Sequence, residues 1–310
     1  MSRARSIAIH ASLFVLTFLS TTIAGVQWLN KNPFELSLFP EGLPYALCIL
    51  LFLTAHEFGH YFAARRHGID VTLPYYIPMP SFLLNPFGTM GAVIRIKSPL
   101  ASRRVLFDVG ISGPIAGFIV AIGLLVYGFI TLPDFSYLQA IHPDYMTPSD
   151  IPRGGLTFGS SLLYSGLERL LAGQRFVPPM NEIYHYPYLC VGWFGLFVTA
   201  LNLMPVGQLD GGHILYALAG KHQGIVARIF FGILILLGIG GLLGLVTRNV
   251  DLGGIGWLVW AAILYFFIKL DHPEIHNPEP LDDSRRLLGW TTLALSVLMF
   301  PPIPFFDLGL

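Results

Sequence analysis

Apolar residues in this chain run in long blocks separated by short polar segments. The blocks lie near 6–29, 43–66, 108–131, 187–204, 227–247, 253–270 and 287–303. A helix of about 20 apolar residues crosses a hydrocarbon layer about 30 Å thick. The pattern therefore predicts an all-α polytopic membrane protein with about six to seven transmembrane helices. The last block is short and ends in Pro301-Pro302, so its depth is left open.

Two stretches break the rhythm. From Val71 to Lys97 the chain is apolar, yet Pro74, Pro78, Pro80 and Pro86 forbid a continuous helix. Tyr, Phe, Val, Ile and Thr between Pro and Gly breaks favour paired strands. Backbone of that kind at membrane depth is tolerated only where protein buries it or a wet cavity meets it. The segment 71–97 is expected to be a membrane-reentrant, β-hairpin-like element, with an ordinary cytoplasmic loop as the alternative. The stretch 132–186 reads as a polar extracytoplasmic insert with one weakly amphipathic helix around Ser160–Leu171. At this length it is small for an independent domain, so 1–310 is expected to form a single integral membrane domain.

Composition supports the spans. The 310 residues are 54% hydrophobic and 12% charged, against about 25% charged in soluble domains. A net charge of zero, with no basic stretch, argues against a nucleic-acid partner and leaves the lipid bilayer as the surroundings. Cys48 and Cys190 both lie in apolar runs and are expected to be packing thiols rather than a disulfide or a thiolate metal site. Of the 18 Lys and Arg residues, only Lys31, Arg153, Arg169, Arg175 and Arg248 fall outside if the amino terminus is cytoplasmic. That bias places the carboxyl end of the second span on the cytoplasmic side. Arg3 and Arg5 precede a first block longer than a signal-peptide core, which is expected to remain as an uncleaved span.

The candidate chemistry sits inside the second block. His56-Glu57-Phe58-Gly59-His60 follows a run from Gly42 with no charge before Glu57. At about 1.5 Å per residue, His56 lies about 20 Å into that run. Ionisable groups at such depth each cost several kcal/mol unless something uses or neutralises them. On a helix, His56 and His60 are one turn apart on one face and can reach a single ion. Zn²⁺ suits imidazole and carboxylate ligands and lowers the pKa of a bound water to about 7. Glu57 is placed to take that water's proton without itself being a ligand. A third ligand is needed. Asp210 is the acidic side chain deep in another apolar stretch, on a break made by Pro205 and three glycines, Gly207, Gly211 and Gly212. Two alternatives stay open: Asp210 as a cap for a helix beginning at Gly211, and His213 as the ligand. His10 and His67 lie near helix ends, and Asp108 is read as starting the third span, where it favours the helix dipole. His142, His185, His222, His272 and His276 lie in loops or near their ends, and none is expected to bind the catalytic metal.

H-E-F-G-H followed by N-x-x-P-x-x-x-x-D-G, from Asn202 to Gly211, resembles the site-2 protease family of intramembrane zinc metalloproteases. The resemblance covers roughly residues 43–220. It implies a zinc endopeptidase that cleaves transmembrane segments of other membrane proteins, with one Zn²⁺ held by His56, His60 and Asp210. Glu57 would be the catalytic acid/base, and Asn202 would position substrate or stabilise the transition state. The run Phe87-Gly88-Thr89-Met90-Gly91-Ala92 resembles the family's substrate-binding reentrant strand, and Ser112–Gly117 its G-x-x-x-G-type core motif. The partners implied are a membrane-protein substrate and an upstream site-1-type protease. Neither a PDZ domain between the motifs nor a nucleotide-sensing domain after them is expected. No transit-like amino terminus is seen, so the expectation is a prokaryotic cytoplasmic membrane with the site toward the cytoplasm. The rival readings are a membrane zinc transporter and an inactive relative that binds membrane clients.

Overall fold

The computed structural model describes residues 3–80, 87–98, 102–247, 249–275 and 279–307. His276 and Pro86 fall outside these. In chain order the helices and strands are α1 (Arg3–Trp28), α2 (Phe39–Arg66), β1 (Tyr75–Pro78), β2 (Thr89–Val93), α3 (Arg103–Ile130), α4 (Phe135–Ile141), β3 (Leu156–Phe158), α5 (Leu162–Leu171), α6 (Pro187–Asn202), α7 (Asp210–Ala219), α8 (Gln223–Thr247), α9 (Gly256–Ile263), α10 (Asp283–Met299) and β4 (Phe305–Asp307). All seven apolar blocks are helical in the main. Among the described residues, four stretches are long and apolar enough to cross a membrane: Ala4–Trp28, Leu36–Arg66, Arg103–Ile130 and Asp210–Thr247. Pro187–Asn202 and Gly256–Ile268 are shorter apolar helices.

The chain divides into two compact units. One comprises Met1–Ser98, Ala116–Ile151 and Leu167–Gly195; the other comprises Pro99–Ile115, Pro152–Gly166 and Leu196–Leu310.

In the first unit, α1 and α2 pack backbone to backbone. A side-chain carbon at Gly42 would lie 2.1 Å from the Thr22 carbonyl oxygen, and one at Gly25 would lie 2.5 Å from that of Gly42. Only glycine permits so close a crossing. Helix α2 begins earlier than the apolar pattern suggested, because Pro40 sits in its first turn, where a missing N–H costs nothing. The proline-broken segment is a hairpin. β1 and β2 pair antiparallel, Tyr75 with Val93 and Tyr76 with Ala92, and a further bridge joins Val71 to Ile96. The hairpin lies against α1, with the Tyr75 ring 4.1 Å from His10 and the Tyr76 ring 5.0 Å from Phe14. His10 is therefore a buried packing residue within α1, its Nδ1 3.1 Å from the Pro74 carbonyl oxygen, and not a helix-end group. Cys48 and Cys190 are buried free thiols, as their apolar surroundings suggested.

The second unit is built on α7 to α10 and a two-stranded sheet. β3 and β4 pair antiparallel, Leu156 with Asp307 and Phe158 with Phe305. Trp257 is fully buried, stacks on Phe300 at 4.7 Å and donates its Nε1–H to the Pro302 carbonyl at 2.7 Å. The long Asp210–Thr247 stretch is interrupted at Gly220, whose φ of +58° ends α7. Asp108 corrects the sequence reading. It lies in the second turn of α3, which begins at Arg103, and accepts two hydrogen bonds from the Arg285 guanidinium at 2.7 and 2.9 Å. A partly buried carboxylate is held better by a bidentate arginine than by a helix end.

Candidate metal centre

Helix α2 carries the first part of the site. His56, Glu57 and His60 are all buried. The Nε2 atoms of His56 and His60 face each other at 3.2 Å, with ring centroids 4.9 Å apart. Two nitrogens bound to one tetrahedral zinc at about 2.05 Å would stand about 3.3 Å apart. The pair thus has the bite of a zinc site, as a consequence of the one-turn spacing on a regular helix. Its back is held by packing: Phe52 lies one turn before His56, and Gly117 of α3 presses on both. A side-chain carbon at Gly117 would come 3.1 Å from His56 Nδ1 and 3.1 Å from the Phe52 ring. Gly117 was readable only as a helix-packing glycine; its contact with the imidazole needed the structure.

The hairpin presents a second set of candidate residues in the same unit. Phe87 stacks on Phe194 at 4.4 Å, and its carbonyl accepts the Tyr45 hydroxyl at 3.1 Å. Gly88 has φ of +75°, its carbonyl accepts the Ser20 hydroxyl at 2.7 Å, and a side chain there would strike α1. Thr89 is buried, its hydroxyl donating to the Ile77 carbonyl at 2.9 Å. Met90 and Val93 are exposed, Gly91 has φ of +100° with open space around it, and Ala92 is buried. Among the described residues β2 has one strand neighbour, β1. Tyr76, which the sequence did not single out, bonds through its hydroxyl to Thr54 at 2.7 Å, one turn before Phe58 on α2.

Asn202 and Asp210 belong to the second unit. Asn202 is the last residue of α6 and Asp210 the first of α7. The break between them is tightly folded. Gly207 has φ of +51° and donates its N–H to the Leu270 carbonyl at 2.9 Å. A side-chain carbon at Gly212 would lie 2.3 Å from the Gly207 carbonyl oxygen. Asp210 is not the cap of this helix: Leu209 holds that position, with no side-chain cap bond. The carboxylate instead stands in the first turn, at the positive end of the helix dipole. His213, the alternative ligand, has its Nδ1 2.8 Å from His272 Nε2. Burial lowers the His272 imidazole below its ordinary pKa.

Comparison with known proteins adds family to geometry. Residues 44–240 match the description Peptidase family M50. The chain is 29% identical over 303 residues to the probable zinc metalloprotease EGY2, chloroplastic, of Oryza sativa subsp. indica, covering 95% of this chain and 50% of that protein. It is 30% identical over 278 residues to the protein of the same name from Arabidopsis thaliana, covering 87% of this chain and 44% of that one. It is 32% identical over 264 residues to the probable zinc metalloprotease EGY1, chloroplastic, of Oryza sativa subsp. japonica, covering 84% and 39%. The chain thus spans about half the length, or less, of these relatives. No solved structure matches. The relatives' names are chloroplastic, so they lend nothing to the expectation of a prokaryotic membrane. The reading of the amino terminus carries no weight against a plastid relative either, since only part of each relative is matched.

Proposed function

This chain belongs to peptidase family M50, the site-2 protease family, and from that premise we propose that it is an intramembrane zinc metalloendopeptidase cleaving transmembrane segments of other membrane proteins. The observation that carries the reading is the buried pair of Nε2 atoms 3.2 Å apart on a helix apolar enough to span a membrane. His56 and His60 would hold zinc together with Asp210. When bound, zinc would supply Lewis acidity, activating a water and polarising a peptide carbonyl. Glu57, adjacent to His56, takes the proton from the attacking water and later passes it to the leaving amine. Asn202 offers an amide donor for the oxygen that gains negative charge.

A helical peptide hides its carbonyls in its own ladder, so a substrate must unwind before it is cut. The β2 edge, running through Met90, Gly91 and Ala92, supports capture of such an unwound segment as an added strand. The cytoplasmic amino terminus, and a site opening toward the same side, rest on the charge bias and form part of this proposal.

The test is the purified chain in liposomes with a reporter bearing one transmembrane segment. Cleavage should stop with a chelator and return with zinc. His56→Ala and Asp210→Ala should each lose bound zinc by elemental analysis. Unchanged zinc in Asp210→Ala would remove it from the ligand set, and zinc flux without cleavage would replace the peptidase by a transporter.

A further inference from the structure

We propose that His142, Glu182 and His185 form a second divalent transition-metal site, separate from the one on α2. One ligand atom from each lies within 4.8 Å of the others. The three edges are 2.9 Å for His142 Nε2 to His185 Nε2, 3.2 Å for His185 Nε2 to Glu182 Oε2, and 3.7 Å for His142 Nε2 to Glu182 Oε2. These bracket the edge of about 3.3 Å that three donors on a tetrahedral zinc would make.

Local structure explains the convergence. Ile183–His185 is a 3₁₀ turn with Glu182 as its cap, and residues three apart eclipse in that helix. Glu182 and His185 are therefore stacked by the backbone. His142 closes α4, its N–H bonded to the Leu138 carbonyl at 2.8 Å. The Tyr137 hydroxyl then ties α4 to the His185 carbonyl at 2.7 Å.

An unmet acceptor inside the cluster suits it to a cation. His185 Nδ1 meets the carbonyl of Trp28, at the end of α1. Donating there, it turns the Nε2 lone pair of a neutral ring toward the cluster, as in the usual support of a metal-bound histidine. A proton on His142 Nε2 can serve His185, but not also Glu182. Glu182 is 3% exposed, and its Oε2 has no hydrogen-bond donor even though two imidazoles face it. A carboxylate oxygen buried without a donor in such a place costs several kcal/mol. One divalent ion satisfies both nitrogens and that oxygen together. Glu182 Oε1 already accepts the Tyr145 hydroxyl at 3.3 Å, and Tyr145 stacks on His142 at 4.6 Å. The His142 side chain keeps 18% of its surface exposed, which leaves a route for the ion and a fourth position for water.

The site is remote from His56. Trp28 ends α1, and Gly42 crosses α1 at Gly25, while His56 lies about 20 Å farther along α2. An ion here would clip the insert onto the end of α1, as a structural metal does.

The experiment uses the full chain in detergent with zinc as the only added metal. In a His56→Ala/His60→Ala background, one zinc per chain should remain, and adding His142→Ala should remove it. In the otherwise native chain, His142→Ala alone should lower bound zinc by one equivalent and abolish part of the zinc-induced rise in thermal midpoint. Zinc content and midpoint that ignore His142→Ala in the native chain overturn the proposal. The two readings separate cleanly: loss of zinc on His142→Ala supports this site whatever His56→Ala does.

Discussion

The α2 histidine pair and the His142–Glu182–His185 cluster offer nearly the same donors in the same unit, yet they are assembled by different means. His56 and His60 are four residues apart on one helix, and backbone periodicity alone brings their Nε2 atoms to 3.2 Å. His142 and His185 are 43 residues apart and approach to 2.9 Å because a helix end and a 3₁₀ turn are tied together. The first arrangement needs only that α2 stays helical and that Phe52 and Gly117 keep packing behind the rings. The second depends on the Tyr137, Tyr145 and Trp28 contacts holding at once. One is cheap to build and readable, the other cooperative and hidden.

That contrast can be broken or sharpened by mutation. The largest effect should come from Glu57→Gln, which removes the acid/base beside the pair while leaving both imidazoles. Cleavage of the liposome reporter should fall about 10²–10⁴-fold, with zinc content and thermal midpoint unchanged. Normal turnover would show that α2 supplies no general base.

His185→Ala strikes the cooperative cluster instead. It leaves Glu182 buried without its neighbour and the Trp28 carbonyl without its donor, and should cost about 3 kcal/mol. A thermal melt in detergent with and without zinc reads this. A native midpoint would mean that the cluster holds nothing together.

Gly117→Ala is a finer probe of the helical pair. The new methyl would sit 3.1 Å from His56 Nδ1, pushing the ring by a few tenths of an ångström. Activity should drop by about tenfold, near 1.4 kcal/mol, with the midpoint little altered. Equal loss of midpoint and activity would instead make Gly117 a packing residue only.

The smallest effect is expected from Tyr145→Phe. Burial first, and then the Glu182 charge, push the Tyr145 hydroxyl above the ordinary phenol range, so it stays a protonated donor at working pH. Losing that one hydrogen bond should cost about 1 kcal/mol in the same melt, without touching cleavage.

Whatever follows from short-range pattern was legible in the sequence itself: seven apolar blocks that are helical in the main, proline breaks that bar a continuous helix from the stretch in which β1 and β2 pair, and an i,i+4 histidine pair flanking a glutamate. Each rests on distances along a regular backbone, where residue type and spacing dictate which side chains share a face. Tertiary structure decided the rest. Gly117 presses on His56 because α3 crosses α2 there, and Asp108 turns to Arg285, 177 positions away, because a half-buried carboxylate takes the partner that packing brings. His142 and His185 read as loop residues, since spacing in a chain says nothing about which loops fold onto the same helix end. Periodicity is local and enters the sequence directly; convergence of distant segments is set by the sum of many weak contacts, which no single motif records.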